Sequence, residues 1–274
     1  MKMHKLSVYM ITFNEEKRLE KTLQAASRVA DEIIIIDSGS RDKTGEIARK
    51  YGAKFYYHDW HSYAAQKNYA QSKCANEWLL SLDADEVLSE GLIREINQIK
   101  SEQYPQFNVY KIKIGEMFPG FQKPRPGTKK YNLERLYHRD YADMPADRMT
   151  KDRLVLKQGA AVGQLKGTIY HYSYLSLSHQ VSKLNRFTDQ VLQTAVQKIN
   201  TIVVMLIPAV AENKKYGQIR LATEFFRQFI CYYIIKRNFL NGRWGFVSSV
   251  NHAYFRFLKI AKWFEYQNTN KETK

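Results

Sequence analysis

The chain has 274 residues, enough for one large domain or one domain with a sizeable appendage. Hydrophobic residues make up 44% and charged residues 26%, which excludes a globally disordered chain, and two cysteines without CxxC spacing argue against a disulfide scaffold or zinc site and for a reducing compartment. The net charge of +16 is uneven: residues 1–150 hold 24 Lys+Arg against 21 Asp+Glu, residues 151–274 hold 19 against 6, and such an excess suits nucleic acid, an anionic membrane or acidic substrates.

LSVYMITF (6–13) reads as a first strand, running straight into Asn14, Glu15 and Glu16 with no cleavage site of a signal peptide. EEKRLEKTLQAA (15–26) reads as a helix. EIIIID (32–37) is the clearest strand, because four consecutive isoleucines fit a strand covered on both faces of a parallel sheet. DKTGEIARKYG (42–52) reads as a helix ended by Gly52, KFYYH (54–58) as a third strand, and residues 63–75 as a helix. WLLSLD (78–83) is a fourth strand and GLIREINQIK (91–100) a further helix. This alternation predicts an α/β fold with a mostly parallel, doubly wound sheet.

The character changes near residue 103. VYKIKI (109–114) and LERLYHR (133–139) read as strands flanking a polar Pro/Gly/Lys loop, FPGFQKPRPGTKK (118–130), which we expect to close over a bound substrate. RLVLK (153–157) and TIYHYSY (168–174) read as short strands, and the chain is expected to be helical from about residue 176. The longest apolar run, IVVMLIPAV (202–210), is short and broken by Pro208, well below the roughly 20 residues of a membrane span. The expected organisation is a first half-domain over 1–103, a second over 104–175, and a helical basic, aromatic region over 176–274.

Ligands of open parallel sheets bind outside the carboxyl ends of the strands. Those ends carry Thr12, Asn14 and Glu15; then Asp37, Ser38, Gly39 and Ser40; then Asp83, Asp85 and Glu86. Two acids spaced D-x-D leave a strand on one side and can share a hard cation that neutralises a departing diphosphate. Taken alone, the same acids would serve as solvated turn residues or helix caps. DSGSRDKT (37–44) could cradle a phosphate on its amides, or be a turn with Ser40 and Asp42 as caps. GxxxxGK[ST], GxGxxG, HExxH and GxSxG are absent, which weakens kinase, dinucleotide, metalloprotease and serine-hydrolase readings.

SVYMITFNEE, IIIIDSGSRDKT, AAQKNYA and WLLSLDADE, in this order over residues 6–86, resemble family 2 glycosyltransferases of GT-A fold. ERLYHR, GQLKGTIYHYSYLSLSHQVSKLNRF and the basic aromatic C-terminus resemble, more loosely, the small bacterial enzymes that add glucose to the inner core of lipopolysaccharide or lipooligosaccharide. The resemblance implies a metal-dependent inverting hexosyltransferase using a UDP-sugar, with glucose the expected sugar, and Mg²⁺ or Mn²⁺. Thr12, Asn14 and Glu15 would line the nucleotide-sugar pocket, Asp37 would bond the uracil, and Lys67 would face the nucleotide. Asp83 would hold the ribose or donor sugar and Asp85 the metal. His171 is a candidate metal or diphosphate contact, or a structural histidine. Inverting transfer needs a carboxylate base in the acceptor half. The candidates are Asp152, then Asp147, with Asp143 behind them; relatives often carry a His-Glu pair near Lys151-Asp152, and the histidine is missing here.

The segment 225–264 interleaves Arg and Lys with aromatic rings, as a helix lying in an anionic membrane interface would, although a helical subdomain with a solvated basic face gives the same pattern. The expected partners are the UDP-sugar donor, a lipid-linked saccharide acceptor (plausibly an inner-core heptose) and the anionic inner-membrane surface, with no nucleic acid. The expected location is the cytoplasm, peripheral on the inner face of the bacterial inner membrane. The competing readings are a sugar nucleotidyltransferase, whose Gly-rich start is absent, and a non-catalytic module that binds membrane or nucleic acid.

Overall fold

A computed structural model describes residues 4–118, 121, 123–124, 130–145, 153–173, 175–197 and 214–269. Contacts divide the chain into two compact units. The first comprises Met1–Met117, Gln122–Pro124 and Lys129–Ser173; the second comprises Phe118–Phe121, Arg125–Thr128 and Tyr174–Lys274. Most of the Pro/Gly/Lys loop, the apolar run 202–210, Asp147 and Asp152 lie outside the described residues.

The first unit is an α/β sheet. In chain order it holds β1 (Leu6–Thr12), α1 (Leu19–Ala26), β2 (Glu32–Asp37), α2 (Thr44–Lys50), β3 (Lys54–Tyr57), α3 (Tyr63–Lys73), β4 (Trp78–Ser81), β5 (Glu86–Leu88) and α4 (Glu90–Ser101). Then follow β6 (Val109–Glu116), β7 (Lys130–His138), the short pair β8 (Ala142–Asp143) and β9 (Val155–Leu156), and β10 (Val162–His171). The large sheet has the order β3-β2-β1-β4-β7-β6-β10-β5. β1, β2, β3 and β4 run parallel, as does β10 on β6, whereas β7 is antiparallel to both its neighbours and β5 is antiparallel to β10.

Side-chain alternation explains how the sheet is covered on both faces. Val8, Met10, Ile33, Ile35 and Leu80 point to one face, where they meet Leu19 and Leu23 of α1, Ala48 of α2, and Leu92 and Ile96 of α4. Tyr9, Ile34, Ile36 and Leu79 point to the other, where they meet Ala70 and Cys74 at the end of α3, and Tyr137 of β7. The isoleucine run is therefore buried on both sides, as its composition predicts.

Three local differences from the sequence expectations have physical causes. The helix expected from residue 15 starts at Leu19. Asn14 takes a left-handed conformation (φ 55°), and the amides of Glu15 and Glu16 donate to Thr44 Oγ1 and Asp42 Oδ2 instead of starting the helix. β5, unforeseen, is three residues that pair with the end of β10. β7 inserts antiparallel between β4 and β6, a pairing that local periodicity does not encode.

The second unit consists, among its described residues, of α5 (Leu177–Gln197), α6 (Lys214–Ile230) and α7 (Gly242–Thr269), with a π-helical turn at Cys231–Ile235 and a 3-10 turn at Asn238–Asn241. Buried Glu224 of α6 ties Arg227 at 2.7 Å and Arg256 of α7 at 3.6 Å, and Lys262 of α7 reaches Asp189 of α5 at 2.5 Å. Among the described residues no helix is long and apolar enough to cross a membrane.

Gly167 of β10 lies where α4 crosses the sheet: a Cβ there would sit 2.5 Å from Leu92 Cα and 2.6 Å from Leu92 N, both backbone atoms that cannot swing aside. Gly167→Ala is expected to cost about 1–3 kcal/mol, the usual penalty of overpacking. Urea denaturation with no loss relative to the parent would show that α4 can shift freely.

Candidate active site at the carboxyl edge of the sheet

At the end of β2, the Asp37 carboxylate organises its own loop. Oδ1 accepts the amides of Gly39 (2.9 Å) and Ser40 (2.7 Å); Oδ2 accepts the hydroxyls of Thr12 (2.8 Å) and Ser40 (2.5 Å). A carboxylate has about four acceptor sites, so in this arrangement all of them face the loop. Gly39 adopts φ 97°, which a side chain resists. The Asn14 amide donates to Ser40 Oγ (2.7 Å) and Asn14 Oδ1 accepts from the Arg41 amide (2.9 Å), so the ends of β1 and β2 form one hydrogen-bonded rim.

β4 delivers Asp83 beside two buried cations. Lys67 of α3, 1% exposed, places Nζ 2.7 Å from Asp83 Oδ1. Arg135 of β7 places Nη2 3.4 Å from Asp83 Oδ2 and 2.9 Å from Glu86 Oε1. The antiparallel sense of β7 makes this contact possible: Leu136 pairs with Leu80, so the residue before it lies toward the carboxyl end of β4. Burial alone would raise the Asp83 carboxyl, but Lys67 and Arg135 overcome it and hold the group well below the usual carboxylate range. Glu86 goes the other way: burial, reinforced by the Asp83 charge, pushes it up to about 7 against the pull of Arg135.

Asp85 lies in a second ion-pair chain. Arg18 Nη1 meets Asp85 Oδ2 at 3.0 Å, while its Nε and Nη2 hold Glu15 at 2.8 and 2.6 Å. His171, at the end of β10, places Nε2 3.4 Å from Asp85 Oδ1 and Nδ1 3.3 Å from Glu116 Oε2, and the β6–β10 register sets His171 opposite Glu116. Burial opposes the imidazolium, but hydrogen bonds to Asp85 and Glu116 push His171 up to about 11. Burial would raise Asp85 too, yet His171 and Arg18 hold it below the usual range.

The structure thus brings together Asp83, Lys67, Asp85, His171 and Glu15 through these pairs, and Thr12, Asn14 and Asp37 through the rim. Asp143 sits apart from the ion pairs, on β8, where it accepts from Gln71 of α3 and from the Met144 amide. Among the described residues no three His, Cys, Asp or Glu side chains form a ready cation cage. Asp85 and His171 nonetheless suit a partial one. Two donors at right angles around a cation, each about 2.1 Å from it, lie about 3 Å apart, close to the observed 3.4 Å. The buried Glu116 Oε1 beside them has no hydrogen-bond partner.

Three participants were not singled out from the sequence. Arg135 carries a usable signal, a cation beside Leu136 and Tyr137 in a strand, which needs an acid partner where it is buried. Arg18 and Glu116 carry none, because Asp85 and His171 reach them from distant parts of the chain.

With this geometry in hand, the glycosyl transferase family 2 model matches residues 7–150. An uncharacterised glycosyltransferase of Rickettsia typhi is 34% identical over 267 residues, spanning 95% of this chain and 87% of its own length. The lipopolysaccharide core biosynthesis glycosyltransferase LpsC of Rhizobium meliloti is 24% identical over 267 residues, 94% of this chain and 91% of its own. Among solved structures, Staphylococcus aureus TarS 1–349 in complex with UDP-GlcNAc overlays 91% of this chain and 90% of its own at 14% identity, with a TM-score of 0.47. The chain belongs to glycosyl transferase family 2, and its fold is the α/β architecture with a mostly parallel sheet at the strands of the first half that the sequence predicts.

Two outcomes test the electrostatics. Arg135→Leu leaves the buried Glu86 without its cation and the half-buried Asp83 with Lys67 alone, and should cost about 3–5 kcal/mol in urea denaturation; an unchanged midpoint would contradict the pairing. The raised His171 contributes stability that is complete below its unfolded value near 6.5 and is lost as pH climbs toward about 11. Glu86 loses its contribution earlier, between about 4.5 and about 7. In metal-free protein, the parent should therefore lose stability faster than His171→Gln between pH 7 and 10. Parallel curves would show that the imidazole is not held protonated.

Proposed function

We propose that this chain is an inverting hexosyltransferase that moves glucose from UDP-glucose to a lipid-linked saccharide, an inner-core heptose of lipopolysaccharide, on the inner face of the bacterial inner membrane. The observation that supports it most is the carboxyl edge: two D-x-D carboxylates after β4, kept ionised by cations packed against them, on the same edge as the hydrogen-bonded loop that follows β2. Family membership supports sugar transfer, and the full-length similarity to LpsC supports a lipopolysaccharide acceptor.

In this reading Thr12, Asn14 and Glu15 line the nucleoside pocket, and Asp37 exchanges its Ser40 hydroxyl for the uracil N–H. Lys67 faces the diphosphate and anchors Asp83, which holds the ribose or donor sugar. Asp85, with His171 after loss of its proton, would hold Mg²⁺ or Mn²⁺, which supplies positive charge to the departing diphosphate. The acceptor hydroxyl oxygen attacks the anomeric carbon from the face opposite the leaving group. As the new C–O bond forms, its proton passes to the base, Asp152 ahead of Asp147. The bond from the anomeric carbon to the β-phosphate oxygen breaks with its electron pair on UDP. Inversion follows from the single in-line displacement.

The test is transfer from radiolabelled UDP-glucose to a heptose-terminated core lipid, with the product anomer read by NMR. A β-linked product is expected, and Asp152→Asn should lower kcat by about 10²–10⁴ with little change in nucleotide affinity. Retention at the anomeric carbon would overturn the mechanism. Full activity of Asp152→Asn would move the base to Asp147.

A further inference from the structure

The connection between α6 and α7 is built to hold large apolar side chains in the open. Ile234, Ile235, Phe239 and Leu240 are 55%, 71%, 44% and 57% exposed, although they fall within seven consecutive residues. A slack loop would fold such side chains inward, and this turn is held rigid instead. The π-helical turn is closed by the Lys236 amide on Cys231 O (2.9 Å) and the Arg237 amide on Ile234 O (3.0 Å). Arg237 then takes a left-handed φ of 55°, a conformation rare for a side chain of this size.

Two buried asparagines lock the reversal from inside. Asn238 Nδ2 lies 3.1 Å from Gly245 O, 2.7 Å from Ser248 Oγ and 3.0 Å from Ser249 Oγ, and Asn241 Nδ2 donates to Asn238 Oδ1 at 2.8 Å. The backbone approach is equally tight: a Cβ on Gly245 would sit 1.9 Å from Asn238 O. The hydrogen bonds of the Asn238 amide and of Asn241 Nδ2 offset much of the cost of burying them, while Asn241 Oδ1 is buried without a partner, so polar groups fill the inside of the turn while isoleucine, phenylalanine and leucine stand outside.

The charges select the occupant. Lys236, Arg237 and Arg243 are exposed beside the apolar side chains, and residues 225–264 contain seven Lys+Arg and no Asp or Glu. Apolar side chains beside cations match the boundary between anionic headgroups and acyl chains, where each basic residue strengthens binding about fivefold. We propose that the α6–α7 turn is the membrane-inserting tip of this protein, with Ile234, Ile235, Phe239 and Leu240 entering the acyl boundary of an anionic bilayer and Lys236, Arg237 and Arg243 binding its headgroups. This rests on the reading that the acceptor is lipid-linked, and it assigns the contact to one turn.

The experiment is co-sedimentation of the full chain with vesicles of phosphatidylcholine alone and of phosphatidylcholine doped with phosphatidylglycerol. The parent should prefer the doped vesicles. Ile235→Asp with Leu240→Asp should lower partitioning at least tenfold, and Lys236→Gln with Arg243→Gln about fivefold per charge removed, with a flatter salt dependence. UDP-glucose titration of the same variants should match the parent, which separates loss of the tip from loss of the fold or of the catalytic reading. A Phe239→Trp variant provides a second measurement, since lipids brominated on their acyl chains should quench it beyond the parent's own tryptophans. The proposal is overturned if the charge and apolar variants bind doped vesicles as the parent does, if Phe239→Trp shows no added quenching, or if the tip variants change the oligomeric state without changing vesicle binding.

Discussion

An ionised carboxylate ends a buried strand only where cations or hydrogen-bond donors are buried with it. Asp83 meets that constraint through Lys67 and Arg135, and Asp85 through Arg18 and His171. These partners come from the segment before α1, from α3, from β7 and from β10, so four separate parts of the first unit each send one charged group to the same edge. The antiparallel β7 has an electrostatic consequence here, because its direction brings Arg135 to the carboxyl end of β4. The acidic cluster in a strongly basic protein is thus a local balance, neutralised from within the fold rather than by the basic C-terminal excess.

That balance has a chemical use. Asp83, Asp85, Glu86, Glu116 and Glu15 face Arg18, Arg135, Lys67 and His171, so the site stands near neutrality with its groups already oriented. A preorganised site spends little of its binding energy on arranging itself when charge develops on a leaving group. On the proposed metal reading, a divalent cation would compete with the protonated His171 for Asp85, so that loading the site would release a proton and replace an existing ion pair. Glu116, with one buried oxygen lacking a partner, sits behind His171 and fixes the ring that changes state.

Strongly local features were legible in sequence. The four isoleucines of β2 announced a strand covered on both faces, and the small residues after Asp37 announced a tight loop. The D-x-D acids, following an apolar run, announced carboxylates at the end of a buried strand. The strands of the second half were recognisable as extended segments, but their order was not, since β7 joins β4 through a pairing 56 or more residues apart in sequence. Arg135, Glu86 and Glu116 owe their roles to that non-local register, and the delayed start of α1 depends on hydrogen bonds to a loop about 26 residues downstream. Local pattern therefore marked where the carboxylates stand, and strand register decided what neutralises them.

Calorimetric titration of UDP-glucose into the full chain, with and without Mn²⁺ and repeated on Asp85→Ala, tests most directly that these carboxylates form a donor and cation site. Metal-dependent binding that disappears in Asp85→Ala, with the variant folded as the parent, is the predicted result. Equal affinity without the metal, or undiminished metal-dependent binding in Asp85→Ala, would contradict it and leave the paired carboxylates as a structural device of the sheet edge.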